Sequence, residues 1–293
     1  MKQLLILSGK GGTGKTTLAS AFIKFSQAKT YGDCDVDAPN LHLVTNQEVE
    51  PKTSDYYGLP KAEIDQDLCT FCDLCRLHCR FNAISTDEGY KVEPFSCEGC
   101  GVCVYVCPEK AIDMKSWPGG QLMLYKGQSV FSTAKLRMGS GNSGLLVTEV
   151  KKNMKENSAS EFAIIDGSPG IGCPVIASLS DVDFTLIVTE PSLSGISDME
   201  RIIKTAALQG VETAVCVNKY DLSLEKTQKI QEIAREMKVH FVGKIPFDEQ
   251  ALEAVNRGET IADIDCPSGR AAREVFERIE ELMNSKNLVV KRR

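Results

Sequence analysis

Positive charge is in short supply in this chain. Thirty-four Lys and Arg stand against 40 Asp and Glu, a net charge of -6, and the isoelectric point is near 5.3. Without a basic surplus, a general grip on nucleic acid is excluded. No apolar run reaches the roughly 20 residues that a membrane-spanning helix needs. Met1–Leu7 is too short for a secretory leader and runs straight into a glycine loop. The expected location is therefore the cytoplasm, with no membrane partner. Cysteine is what the chain has in excess: 12 residues in a total of 293. Cytosolic thiols stay reduced, so these are expected to be metal ligands and not disulfides.

Hydrophobic content of 42% and charged content of 25% are ordinary for a globular protein. Leu4–Leu7 is apolar without alternation, the pattern of a strand buried on both faces of a parallel sheet. A helix is expected over Thr16–Lys29, then an Asp-rich turn over Gly32–Asn40 and a polar linker over 46–62. Trp117-Pro118-Gly119-Gly120 reads as a break. Strands are expected at Phe162–Asp166, Phe184–Thr189, Thr213–Asn218 and Phe241–Ile245. Helices are expected around Gly141–Asn157, Ser194–Leu208 and Ser223–Met237, with a closing helix over Ala271–Asn284. Such alternation implies an α/β fold with a mostly parallel sheet. The cysteine-rich segment interrupts it. The expected organisation is one domain in two parts, 1–62 and 116–293, around an insertion at 63–115.

Gly9-Lys10-Gly11-Gly12-Thr13-Gly14-Lys15-Thr16 satisfies G-x4-G-K-[ST] between a strand and a helix. Its glycines let backbone N–H groups turn toward phosphates, and the helix N-terminus adds partial positive charge. Lys15 would reach the β- and γ-phosphates and Thr16 would offer its hydroxyl to Mg²⁺. Thr17 continues the loop into the helix.

Lys10 makes the loop K-G-G-x-G-K-T. This resembles the deviant Walker A signature of the family of MinD, Mrp and the nitrogenase iron protein (SIMIBI-class P-loop NTPases). The resemblance implies that Lys10 crosses to a second subunit's nucleotide, hence a homodimer when nucleotide is bound. Asp33-Cys34-Asp35-Val36-Asp37 resembles the family's switch I. There Asp35 would orient the attacking water and touch the Mg²⁺ site, and Asp33 would accept from the metal's waters. Ile164-Ile165-Asp166-Gly167-Ser168-Pro169-Gly170 resembles the Walker B aspartate and switch II. Asp166 would hold Mg²⁺ through water, and Gly170 would offer its N–H to the γ-phosphate. Val217-Asn218-Lys219-Tyr220-Asp221 fits two patterns. Asp221 completes N-K-x-D, a guanine-reading motif, whereas in the resembled family an Asn at this strand end contacts adenine. The whole-chain resemblance favours ATP over GTP. Gly243–Asp248, with Pro246, resembles a family element near the base.

Cys69, Cys72, Cys75 and Cys79 are spaced C-x2-C-x2-C-x3-C, and Cys97, Cys100, Cys103 and Cys107 repeat that spacing. The runs resemble bacterial ferredoxins, whose α+β domain holds two 4Fe-4S clusters. In those proteins the fourth cysteine of each run serves the other cluster. The implied sets are Cys69, Cys72, Cys75 and Cys107 for one, and Cys79, Cys97, Cys100 and Cys103 for the other. Zinc knuckles, which set pairs of C-x2-C far apart, fit less well. Arg80 stands where proline usually follows the fourth cysteine. It could raise the potential of its cluster or weaken its seal from water. Cys216 lies in an apolar strand and is expected in the core. Cys173, seven residues after Asp166, has no cysteine to match it in 137–144, so it is expected as a packed thiol under switch II.

The resemblance implies an ATPase with a nucleotide-driven dimer, and the first hypothesis for what that switch drives is electron transfer toward an unidentified redox partner. Alternatives are an iron–sulfur carrier serving an acceptor protein, and a redox-sensing positioning ATPase. The C-terminal Lys291-Arg292-Arg293 tail is basic but too short to argue for membrane binding.

Overall fold

Leu4–Leu7 forms the interior of β1 (Lys2–Ser8). Its side chains alternate between two apolar layers: Leu4 and Ile6 enter one, Leu5 and Leu7 the other. A strand buried on both faces tolerates no polar alternation, which explains its unbroken apolar sequence. The computed structural model describes residues 1–87, 89–158 and 160–290, with side chains described through Ser285; the basic 291–293 tail lies outside the described residues.

After β1 the chain forms α1 (Lys15–Ser26), β2 (Thr30–Asp33) and β3 (Lys52–Tyr57). The cysteine-rich segment contributes β4 (Lys61–Ile64), α2 (Leu74–Leu77), β5 (Ile84–Ser85), β6 (Lys91–Val92), α3 (Val102–Val106) and β7 (Ile112–Lys115). Next come β8 (Pro118–Lys126), β9 (Val130–Leu136), α4 (Ser143–Asn157), β10 (Phe162–Pro169) and α5 (Cys173–Leu179). The remainder is β11 (Phe184–Thr189), α6 (Leu193–Leu208), β12 (Glu212–Asn218), α7 (Leu224–Glu236), β13 (His240–Ile245), α8 (Glu249–Asn256) and α9 (Pro267–Val290).

Among the described residues, nine strands make one sheet in the order β13-β12-β11-β1-β10-β2-β9-β8-β3. Pairing is parallel from β13 to β9. It turns antiparallel at β9–β8 and β8–β3. One face is covered by α1 and α9, through Leu18, Phe22, Val275, Phe276 and Ile279. The other is covered by α4 to α7, through Val150, Met154, Leu179, Ile202 and Ile230. This is the α/β architecture expected from the alternation. Strands from before and after the cysteine-rich segment share it.

Three local expectations are corrected. The 46–62 linker contains β3, an edge strand whose side chains are mostly exposed, so it carries no hydrophobic period. The break at 117–120 is the start of β8. Gly120 is there for close packing and not for a turn: a Cβ on it would lie 2.8 Å from the Lys135 carbonyl oxygen. The Asp-rich turn begins inside β2, so Asp33 is a strand-end residue.

The cysteine-rich segment is an internal repeat with a shift of 28 positions (Cys69 to Cys97, Cys79 to Cys107). The backbone repeats with it. Phe71, Asp73 and Asn82 have positive φ, and so do their counterparts Gly99, Gly101 and Lys110. Short antiparallel pairs β4–β7 and β5–β6 close the unit. Ala62, Ile64, Ala83, Ile84 and Ile112 pack among the cysteines in a small core of their own.

Candidate functional site

The register of the central strands builds the site. Asp166 on β10 lies beside Ile6 of β1 on one side and Asp33 of β2 on the other. The glycine loop leaves the end of β1 and delivers Lys15 to the first turn of α1. Lys15 Nζ then sits 2.6 Å from Asp166 Oδ1 and 3.8 Å from Asp35 Oδ2. The Thr16 hydroxyl donates to Asp166 Oδ2 at 2.7 Å. The expected phosphate lysine, the Mg²⁺ hydroxyl and two carboxylates thus converge. Gly14 caps the helix with φ +91°, and a Cβ there would lie 2.3 Å from Asn218 Nδ2. Only glycine fits that close approach. The Asn218 amide donates to the Thr13 carbonyl at 2.8 Å and so ties the loop to the end of β12.

Asp33 differs from its expected role. Its Oδ1 accepts from the Asp35 N–H at 3.0 Å. Its Oδ2 accepts from the N–H groups of Asn40 and Leu41 at 2.9 and 3.0 Å. The carboxyl shapes switch I and leaves Asp35 to face Lys15. Burial, and then the Asp166 charge, push the Asp33 carboxyl up from 3.8 to about 7. Burial also raises Asp35. Burial opposes the Lys15 charge, but Asp166, Asp33 and Asp35 outweigh it and raise that pKa. One lysine among three carboxyls leaves room for a divalent cation.

The Asp33 shift sets a pH dependence. Between 3.8 and about 7 the folded chain holds a proton that the unfolded chain has released. Stability without ligand therefore falls as pH rises through that window, by up to about 1.4 kcal/mol per pH unit. Urea unfolding midpoints at pH 5 and pH 7 are expected to show this drop in the wild type and a smaller one in Asp33→Asn. Parallel profiles for the two proteins would overturn the assignment.

Two nucleotide-loop expectations meet competing partners. The Gly170 N–H donates to the Ser8 carbonyl at 2.9 Å, so its peptide must turn before it can meet a phosphate. Lys10 Nζ lies 3.5 Å from Glu190 Oε2 of its own chain. Glu190 also holds Lys219 Nζ at 2.6 Å. The sequence reading missed Glu190. The available signal was its place just past β11, which neighbours β1: ligands of open α/β sheets gather beyond the carboxyl ends of the strands.

Beside the loop is a cavity lined by Gly12, Gly14, Thr17, Asn218, Pro246 and Phe247, among others. Asp221 is not among its lining residues. Its Oδ1 accepts the Phe247 N–H at 2.8 Å and braces the cavity wall instead.

In the cysteine-rich segment, Cys69, Cys72, Cys75 and Cys107 line one cavity with Ile64, Phe71 and Ile112. The fourth member comes from the other run. Cys75 is raised by burial and by the neighbouring Cys69 and Cys72 thiols. Cys103 is raised by burial and by Cys97 and Cys100. Cys79 Sγ accepts from Ala83 N–H at 3.4 Å, and its counterpart Cys107 from Ala111 N–H at 3.3 Å. Among the described residues, no three His, Cys, Asp or Glu converge on a site for a single ion. A cubane asks for something different, four thiolates spread over four irons.

Cys34 and Cys216 are fully buried thiols, each pushed to about 12 by burial. Cys266 is also buried. Cys173 is exposed at the start of α5, which corrects the expectation of a packed thiol. Among the described residues no helix is long and apolar enough to cross a membrane.

The family model described as the CobQ/CobB/MinD/ParA nucleotide binding domain matches residues 4–261. An uncharacterized protein of Methanocaldococcus jannaschii is 31% identical over 287 residues, covering 96% of this chain and 97% of that one. A protein of Pyrococcus horikoshii named iron-sulfur cluster carrier protein is 25% identical over 296 residues, covering 94% of this chain and 85% of its own. Among solved structures, the septum site-determining protein MinD complexed with Mg-ADP, from Pyrococcus horikoshii, aligns with a TM-score of 0.58 at 19% identity over 96% of both chains. At that identity the likeness speaks for the fold alone. With the phosphate loop, its lysine and its strand-end aspartate assembled on that fold, and a family match spanning most of the chain, the protein belongs to the CobQ/CobB/MinD/ParA family of nucleotide-binding proteins.

Proposed function

We propose that this protein is an Mg²⁺-dependent ATPase that couples a nucleotide-driven homodimer to electron transfer through two 4Fe-4S clusters. Lys15 neutralises the β- and γ-phosphates, and Thr16 offers its hydroxyl to Mg²⁺. Asp166 holds the metal's waters and Asp35 orients the attacking water. Asn218 and Pro246 border the base, and the place of Asp221 outside that cavity favours adenine. Lys10 leaves Glu190 to reach the second subunit's nucleotide.

The clusters would supply one-electron storage. Cys69, Cys72, Cys75 and Cys107 would hold one, and Cys79, Cys97, Cys100 and Cys103 the other. The observation that carries this reading is the single cavity where Cys107 joins the first three cysteines of the opposite run. Ile64, Phe71, Ala111 and Ile112 supply apolar wall around the cysteines, beside Asp73 and Glu109. A cluster-carrier role is the second reading, supported by the name of the Pyrococcus horikoshii relative and by the exposure of Cys72 and Cys100.

Anaerobic reconstitution followed by redox titration with and without Mg-ATP separates the two. Electron transfer predicts retained iron and a nucleotide-dependent potential. A carrier predicts ATP-dependent loss of iron to an apo-acceptor. Potentials and iron content that ignore ATP would sink the coupling altogether.

A further inference from the structure

The two cysteine runs repeat in spacing and backbone, but their charges do not. Lys61 on β4 is only 7% exposed and is the one buried charged side chain among the described residues of 58–117. Its ammonium donates to the Cys97 carbonyl. The chain just before it is pressed against the same turn: a Cβ on Gly99 would lie 2.5 Å from the Pro60 oxygen and 3.1 Å from Leu59 Cβ. The counterpart of Lys61 in the repeat is Gly89, which has no side chain. A second cation, Arg80, follows Cys79 where the other run has Pro108.

The first site has the opposite bias. Asp73 and Glu109 line the cavity of Cys69, Cys72, Cys75 and Cys107. Their counterparts are Gly101 and Phe81. Arg76 pairs with Asp73 and balances that carboxylate. Glu98, beside Cys97, is exposed, and its Oε2 lies 3.4 Å from where a Gly141 Cβ would be. Exposed charges of either sign are screened by water and salt, whereas a buried ammonium is not. Lys61 therefore decides the difference.

We infer that Lys61 makes the two cysteine sites electrostatically unequal and renders that of Cys79, Cys97, Cys100 and Cys103 the preferred seat of an electron. The inference rests on the proposed 4Fe-4S occupancy. Reduction by an external one-electron donor adds one negative charge at a site, and the donor loses one electron. Lys61, which holds the Cys97 carbonyl, stabilises that added charge more strongly at the second site. An electron entering at the first site would pass to the second, which is reduced by one electron while the first returns to its starting oxidised state.

The test is a redox titration of reconstituted full-length protein with dithionite, followed by electron paramagnetic resonance. The wild type is expected to reduce in two one-electron steps. Lys61→Gln keeps a hydrogen-bond donor and removes the charge. It should lower the reduced-to-oxidised ratio of the higher-potential step about tenfold at fixed ambient potential, which is 59 mV for one electron. The lower-potential step should move less, and Lys61→Arg should restore the wild-type curve. Arg80→Gln, at an exposed position, should move the same step in the same direction by less, and it serves if Lys61→Gln does not fold. Coincident steps, or a Lys61→Gln shift that is larger in the lower step or equal in both, overturn the inference. Iron and acid-labile sulfide near zero would instead overturn the cluster reading beneath it.

Discussion

Lys15→Ala is expected to reduce nucleotide hydrolysis by about a thousandfold or more, because in the proposed mechanism it removes a positive charge that meets charge developing on the transferred phosphoryl group. The loss should leave the absorbance of the proposed clusters unchanged, since the substitution lies outside the cysteine-rich segment. A cost in stability accompanies it. Asp166 is fully buried and pairs with Lys15 at 2.6 Å, and stripping one partner from a buried pair costs roughly 3–5 kcal/mol. The orphaned carboxyls relieve this by taking up protons, so the variant should gain stability relative to the wild type as pH falls toward 5. Phosphate release measured beside thermal melting at two pH values separates lost chemistry from lost fold. Normal turnover in Lys15→Ala would remove the phosphate-loop assignment.

Cys107→Ser is expected to halve the iron content of the reconstituted protein, from about eight atoms per chain to about four. Pairing it with a second substitution reveals which cysteines share a site. If Cys107 serves with Cys69, Cys72 and Cys75, then adding Cys69→Ser costs no further iron, whereas adding Cys97→Ser removes the rest. Grouping each run by itself gives the reverse pattern. Non-additivity within one site and additivity across two is the signature sought. The structure motivates the crossed arrangement through the cavity that Cys107 shares with the opposite run.

The parts legible in the sequence were those where one local requirement dictates residue type. Leu4–Leu7 announced a doubly buried strand, and the glycine loop announced the turn into α1. The repeated cysteine spacing announced a duplicated unit, and the backbone repeats with it. What escaped was fixed by tertiary placement. β3 is polar and exposed, so no period betrays it. Its strand character comes from pairing with β8, a partner distant in sequence. Gly119 and Gly120 looked like a turn, yet at Gly120 the missing side chain makes space for Lys135, Leu136 and Leu146. Asp33 looked like one carboxylate in an acidic loop. Its three backbone hydrogen bonds arise only once switch I has folded around it. Glu190 had no motif to mark it, because its neighbours Lys10 and Lys219 come from two other strand ends.

The pairing of Tyr57 with Pro118 at one end of β3–β8 has a topological consequence. Residues 58–117 amount to the loop of a β-hairpin. Closing a loop costs entropy only as the logarithm of its length, so exchanging a short turn for this one penalises the sheet by on the order of 2 kcal/mol. Folding of the nucleotide-binding sheet can therefore proceed before residues 58–117 order. Ordering of the hairpin's tip becomes a late event that does not govern the assembly of its stem.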